Sequence, residues 1–223
     1  MSLRGDASMH TKVTKNHGHR QMAGLIARLI PHLTWRHSGL GVLQAYVHEG
    51  ETDELRVHVW HPDLRRPGVE ESGLLHDHRF DMSSQVLVGV IRQREFELTV
   101  RSDGTGAWQL HEVEHARAAF ARHAPNNDST TALPTRYHVA ARDVEIYAGE
   151  RYFFPKRRVH GTYIDGLVVT LVTKSNQDKA PACILAPYGA PVVHAFAETL
   201  PESSWQIPLQ EARAALMNAW SGK

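Results

Sequence analysis

The residues best placed to do chemistry are His76, Asp77 and His78, in the stretch "SGLLHDHRFDMSSQVLVGV" at positions 72–90. In an extended strand, side chains two apart project to the same face. His76 and His78 therefore point together, as two ligands of one ion must, and Asp77 points the other way. With 16 histidines in 223 residues, about one His-x-His should arise by chance. A second one exists, His17-Gly18-His19, in a polar segment without apolar periodicity, and it reads as a solvated tail. Context must therefore decide. A metal site needs at least a third protein ligand. The stretch "AGERYFFPKRRVHGTY", positions 148–163, offers His160, preceded by Gly149 and Pro155. The bland alternative is a set of core or surface histidines.

The spacing Gly149, five residues, Pro155, four residues, His160 resembles the second motif of the cupins. The stretch from Gly73 through His76 and His78 to Gly89 resembles their first motif. This resemblance spans roughly residues 40–175 and implies an all-β fold, the double-stranded β-helix or jelly-roll barrel. It also has departures. The glutamate that usually follows the second histidine by four or five residues is replaced by Met82 and Ser83, and Gln85 is the nearest polar residue beyond. Arg157 stands where the second motif usually has glycine, and Gly73 lies closer to His76 than the usual glycine does. A three-histidine set is left: His76, His78 and His160.

That set resembles the thiol dioxygenase branch, the cysteine and cysteamine dioxygenases, which hold ferrous iron on three histidines and often read "HDH" at this point. The resemblance implies Fe(II) as cofactor, with Zn, Ni or Mn as alternatives. It sets Arg56, in "LRVHVWHP", at the place of the branch's substrate arginine. It does not supply the branch's cysteine–tyrosine cross-link, because Cys183 is the only cysteine and lies beyond the second motif. Three neutral imidazoles on one ion leave coordination positions open, and a 2+ charge binds anions and acidifies a bound thiol or water.

Other residues each carry two readings. Tyr163, three residues after His160, is a candidate acid or hydrogen-bond donor, or else a half-buried core tyrosine. Gln85 and Tyr152 are pocket residues or packing. His58, His61 and His138 read as structural or supporting residues, and Arg92 and Arg101 as barrel exterior. Three functional classes stay open. The first is a mononuclear non-haem Fe(II) dioxygenase acting on a small thiol or amino-acid-like molecule. The others are a sugar isomerase or epimerase, and a non-catalytic metal- or ligand-binding cupin. Fold alone does not separate them.

The elements that must position these residues follow from periodicity. Met22, Leu25, Ile26, Leu29 and Ile30 recur at helical spacing and Pro31 ends the pattern. Strands follow at "LGVLQAYVHE", "ELRVHVWHP", "LLHDH", "SQVLVGVI", "REFELTVRS", "GAWQLHEVE", "RYHVAARDVEIY", "RYFFP" and "GLVVTLVTK". Residues 116–134 read as an irregular excursion, and the chain after Ser175 as a Pro-rich connection. A C-terminal helix is expected in "PLQEARAALMNAW", with Pro208 at its first position and Leu209, Ala212, Leu216 and Trp220 as its stripe. The organisation predicted is a polar arm over 1–20, one cupin domain with a leading helix over 21–200, and a C-terminal helix over 201–223.

Composition sets the remaining bounds. The net charge of +1 demands neither nucleic acid nor a membrane surface as partner. One cysteine excludes an internal disulfide and Cys-rich zinc motifs. With no apolar leader in the first residues, a cytoplasmic location is expected. The expected partners are a small-molecule substrate and, through an outer strand, a second copy in a homodimer.

Overall fold

The computed structural model describes residues 12–15, 18–38, 40–50, 53–65, 75–101, 103–114, 129–190, 192 and 200–222. His17, Gly73, Leu74 and most of the 116–134 excursion lie outside the described residues. Twelve strands form two antiparallel sheets. In chain order they are β1 (Lys12–Lys15), β2 (Trp35–Ser38), β3 (Val42–Glu49), β4 (Glu54–Trp60), β5 (Asp81–Val88) and β6 (Val90–Thr99), then β7 (Trp108–Glu114), β8 (Ser129–Tyr147), β9 (Glu150–Phe154), β10 (His160–Tyr163), β11 (Val168–Ser175) and β12 (Ala182–Pro187). The larger sheet runs β1-β9-β5-β11-β4-β3-β2 and the smaller β10-β6-β8-β7-β12. Helices α1 (His19–Leu29) and α2 (Gln206–Ser221) lie towards the two ends of the chain. No helix among the described residues is long and apolar enough to cross a membrane.

On β4 the polar–apolar alternation turns the apolar residues away from the barrel interior, although elsewhere the larger sheet also sends apolar side chains inward, among them Met82, Tyr152 and Val172. On β4, Val57 and Val59 are fully buried, but in the cluster that also holds Ala23, Ile26 and Ala27 of α1 and Ala212 and Leu216 of α2. The opposite face, Arg56, His58 and Trp60, lines the barrel interior. Strand β11 repeats the pattern, with Val169 and Leu171 under the helices and Thr170, Val172 and Lys174 inside. The helices thus cover an apolar outer face, and each fully buried aliphatic side chain there contributes about 2 kcal/mol. That cover frees the inner face to be polar.

Several local expectations need correction. Leu25 is half exposed, and the buried stripe of α1 is Ala23, Ile26, Ala27 and Ile30. Lys12–Lys15, within the polar N-terminal stretch, pairs with β9. Residues 129–134, read as irregular, begin β8. Its pairing with β7 slips between Gln109–Arg136 and His111–Ala132, and Pro134 sits in that irregularity, where a missing N–H costs no ladder bond. The segment after Ser175 holds β12, "ACILAP", an apolar run next to Pro181. Pro208 is the third residue of α2 rather than the first. Of the expected strand "LLHDH", the described residues 75–78 form no regular strand; His76 makes isolated bridges to His160 and Ile184.

Glycine is required at two turns. Gly89, between β5 and β6, has φ +81°, and an added Cβ would stand 2.3 Å from the Leu167 carbonyl oxygen. Gly149, between β8 and β9, has φ +87°. Both lie in the left-handed region that L side chains avoid.

Candidate metal centre

The segment carrying His76 and His78 is laced to both of its neighbours by backbone bonds. His76 exchanges N–H···O bonds with His160, Asp77 N–H donates to Cys183 O, and Arg157 N–H donates to His78 O. The tripeptide is thereby held extended, and the i, i+2 relationship survives without a full strand. Asp77 turns away from the histidines and accepts the Cys183 N–H at 2.7 Å.

His76, His78 and His160 converge. One ring nitrogen from each lies within 4.8 Å of the others. Nε2 of His160 is 3.0 Å from Nε2 of His78, close to the spacing of two nitrogens held at right angles about 2.1 Å from one ion. The Nδ1 of His160 lies 2.8 Å from Oε1 of Gln93, which also accepts from Thr162 Oγ1 at 2.9 Å. With that amide oxygen as acceptor, Nδ1 carries the proton and Nε2 presents its lone pair to the cluster. Burial, and then the neighbouring imidazoles, hold His78 and His160 well below the usual histidine range. Both are therefore neutral, the form in which imidazole binds a metal. Donor type, tautomer, protonation and convergence all fit a divalent transition ion.

The cluster opens on a cavity of about 350 Å³. Phe80 stacks on His78 with centroids 4.8 Å apart, and Phe154 lies 4.3 Å from His160. Met82 lines the cavity at the place where a cupin usually carries its glutamate. Gln85 does not replace that glutamate. It pairs with Leu171, whose side chain lies under the helices, so the pleat turns Gln85 away from the cavity. Among the described residues, the histidine cluster includes no carboxylate.

Arg56 lines the cavity. Its guanidinium donates to Gln44 Oε1 at 3.0 Å and to the Tyr46 hydroxyl, and pairs with Glu54 at 2.5 Å. Tyr163 does not line the cavity. Period two on β10 turns His160 and Thr162 inward and Tyr163 outward, where its ring covers Gly161 and faces Arg94. Tyr163, expected as a candidate acid at the site, is thus turned away from the histidine cluster by the pleat.

His58 lines the cavity, and burial, with Arg56 and Lys174 nearby, pushes its pKa down to about 3. Its Nε2 is buried without a hydrogen-bond partner. His61 contacts Glu211 of α2 at 3.1 Å, and His138 is bonded to Thr105 on the exterior. Tyr152 lines the cavity and accepts from Gln93 at 3.2 Å. The Cys183 thiol is pushed up to about 12 by burial and by Asp77, so it is no thiolate at neutral pH.

Gln93 and Lys174 are the site residues that residue types alone did not single out. Gln93 sits on β6, just beyond Gly89 at the end of the first motif, in a stretch that reads as an ordinary strand. Lys174 ends "GLVVTLVTK" and shares a face with Thr170 and Val172, which was a usable signal once β11 was recognised. Its pKa is lowered to about 7 by burial and by Arg56, against the opposing effect of Glu54.

Arg157, at the usual glycine position, does adopt the left-handed region, at φ 66°. Its guanidinium grips Asp178 through both carboxylate oxygens, donates to Ala180 O at 2.9 Å and to Pro181 O, and lies 3.7 Å from Asp77. These contacts offset a backbone strain of about 1 kcal/mol. They also tie the histidine segment to the approach to β12.

No family model matches the chain, and no curated protein matches it. Solved structures similar to it include an RmlC-like cupin from Shewanella frigidimarina, at 12% identity and TM-score 0.34 over 65% of this chain and 85% of that one. KdgF from a Halomonas species is similar at 14% identity and TM-score 0.33, over 66% of this chain and 91% of that one. The HEPD of Streptomyces albus, solved with 2-hydroxyethylphosphonate and Fe(II), is similar at 8% identity and TM-score 0.34. That match covers 76% of this chain and 26% of that one. By its own sheet topology, motif spacing and histidine cluster, this chain has the all-β cupin fold, a jelly-roll barrel with short terminal helices.

Proposed function

We propose that the protein is a metal-dependent cupin whose His76, His78 and His160 hold one divalent ion. We further propose that it acts as a mononuclear non-haem Fe(II) dioxygenase on a small thiol or amino-acid-like molecule. The observation that carries this reading is the convergence of three imidazoles, with no carboxylate among the described residues of the cluster, on the wall of the barrel cavity. Bound Fe(II) would supply redox chemistry with dioxygen and open positions for a chelating ligand. The chain's own residues bind and shield. Gln93 sets the His160 tautomer, Phe80 and Phe154 pack against the imidazoles and exclude water, and Met82 fills the glutamate's place without adding charge.

The test is oxygen uptake by iron-loaded and zinc-loaded protein across a panel of small thiols, amino acids and hydroxy acids. Uptake with iron only, and only with a chelating ligand present, is the expected result, because zinc has no redox chemistry. Equal turnover with zinc would remove the dioxygenase reading in favour of a redox-neutral isomerase. Cytoplasmic location and a homodimer through an exposed sheet edge belong to the same proposal. A monomer in light scattering at micromolar concentration would remove the dimer.

A further inference from the structure

The cavity wall beside the histidines carries more positive charge than it neutralises. Glu54 pairs with Arg56 at 2.5 Å and with Lys174 at 3.6 Å, so one carboxylate serves two cations. Arg79 also lines this cavity and repels the Lys174 ammonium. Glu54 stands behind the wall rather than in it, and Asp77, the one acid among the described lining residues, is engaged with Cys183 and Arg157. Burying charge without compensation is costly; the lowered pKa of Lys174 relieves part of that cost, and an anion bound beside it would relieve the rest and hold the ammonium charged.

Two of the cations differ in what they have left to offer. Both terminal nitrogens of Arg56 are engaged, with Gln44, Tyr46 and Glu54, and its remaining donor, Nε, is buried without a partner and out of a ligand's reach. Lys174 has three donors, and its contacts are Glu54 and the face of Phe80, with Nζ 4.1 Å from the ring centroid. Phe80 in turn stacks on His78, so the ammonium and the histidine cluster are one aromatic ring apart. A short-chain molecule can reach both.

We propose that Lys174, with Arg56 as its support, is the anion-binding residue of the cavity, taking the carboxylate of a short-chain substrate whose other end meets the histidine cluster. This rests on the metal-dependent reading above. It departs from the resemblance, which gave that task to Arg56. Arg56 instead orients Glu54 and Tyr46 and adds to the positive field.

The test uses full-length zinc-loaded protein and calorimetric titration with three thiols differing at the remote end: mercaptopropionate (anion), mercaptoethanol (neutral) and cysteamine (cation). Mercaptopropionate should bind at least about tenfold tighter than mercaptoethanol, and cysteamine weakest. Lys174→Met should lose that tenfold for mercaptopropionate while leaving mercaptoethanol affinity and zinc content unchanged. Lys174→Arg should restore part of the loss. Equal affinity for the three thiols in a protein that takes up one zinc per chain would overturn the Lys174 assignment alone. Failure to take up zinc would overturn the metal reading instead. Should Lys174→Met fail to fold, acetate competition on the wild type decides. Displacement of mercaptopropionate alone supports the site, and equal displacement of mercaptoethanol places the anion on the metal and overturns it.

Discussion

Gln93 lies 2.8 Å from the Nδ1 of His160, on the side of the ring opposite the histidine cluster. A ligand imidazole held from behind in this way has its tautomer and direction chosen before any ion arrives. The same amide reaches Thr162 and Tyr152, so four residues share one network inside the barrel.

Gln93→Leu should therefore weaken metal binding by about 10- to 100-fold without removing a ligand. Competition against a chromophoric chelator measures this. Gln93→Glu, which keeps an acceptor at the same reach, should retain more affinity than Gln93→Leu. Unchanged affinity in both variants would show that the network is structural only.

Removal of His160 should abolish binding altogether, because His76 and His78 form only part of a site. His58→Ala should leave one ion per chain, since His58 stands outside the cluster. Metal analysis after dialysis checks both, and a fully occupied His160→Ala protein would end the assignment.

The metal-free protein should lose stability as pH falls below about 6.5. Burial depresses the folded-state pKa values of His58, His78 and His160 below the ordinary histidine value. The unfolded chain then binds more protons than the folded one, and stability falls with pH at about 1.4 kcal/mol per pH unit for each histidine. Asp77, raised to about 6 from 3.8, acts in the opposite sense between those values, because there the folded chain holds the extra proton. Thermal melts from pH 7.5 to 5 read the sum. A flat profile, or one that rises on acidification, would contradict the neutral buried histidines.

Arg157 gives a rank-order prediction. Arg157→Ala keeps the strained φ of 66° and loses the Asp178 and Asp77 contacts. Arg157→Gly loses the same contacts but relieves the strain by about 1 kcal/mol. Melting temperature should fall in the order wild type, Arg157→Gly, Arg157→Ala, with metal affinity following it. An Arg157→Gly protein as stable as wild type would show that the guanidinium network contributes nothing net.

Much of the site was legible before any coordinates. His76 and His78 share a face because strand pleating has a fixed period, and the Gly149–Pro155–His160 spacing marks a turn, a strand end and a return to the same barrel. The alternation of β4 also identified two distinct faces, Leu55, Val57 and Val59 against Arg56, His58 and Trp60. These are local facts, written in periodicity and turn chemistry. The sequence alone did not say which face was which. Helices α1 and α2 cover the apolar side, so the polar side of β4 and β11 turns into the cavity, and only packing between elements far apart in the chain decides that. The same holds for Tyr163 and Gln85, plausible by proximity in sequence and turned away by the pleat. Gln93 and Lys174 come from separate strands and reach the cavity through sheet register, with Glu54 of a third strand set behind Lys174. Register is a property of strand pairing across the whole barrel, which no window of neighbouring residues contains.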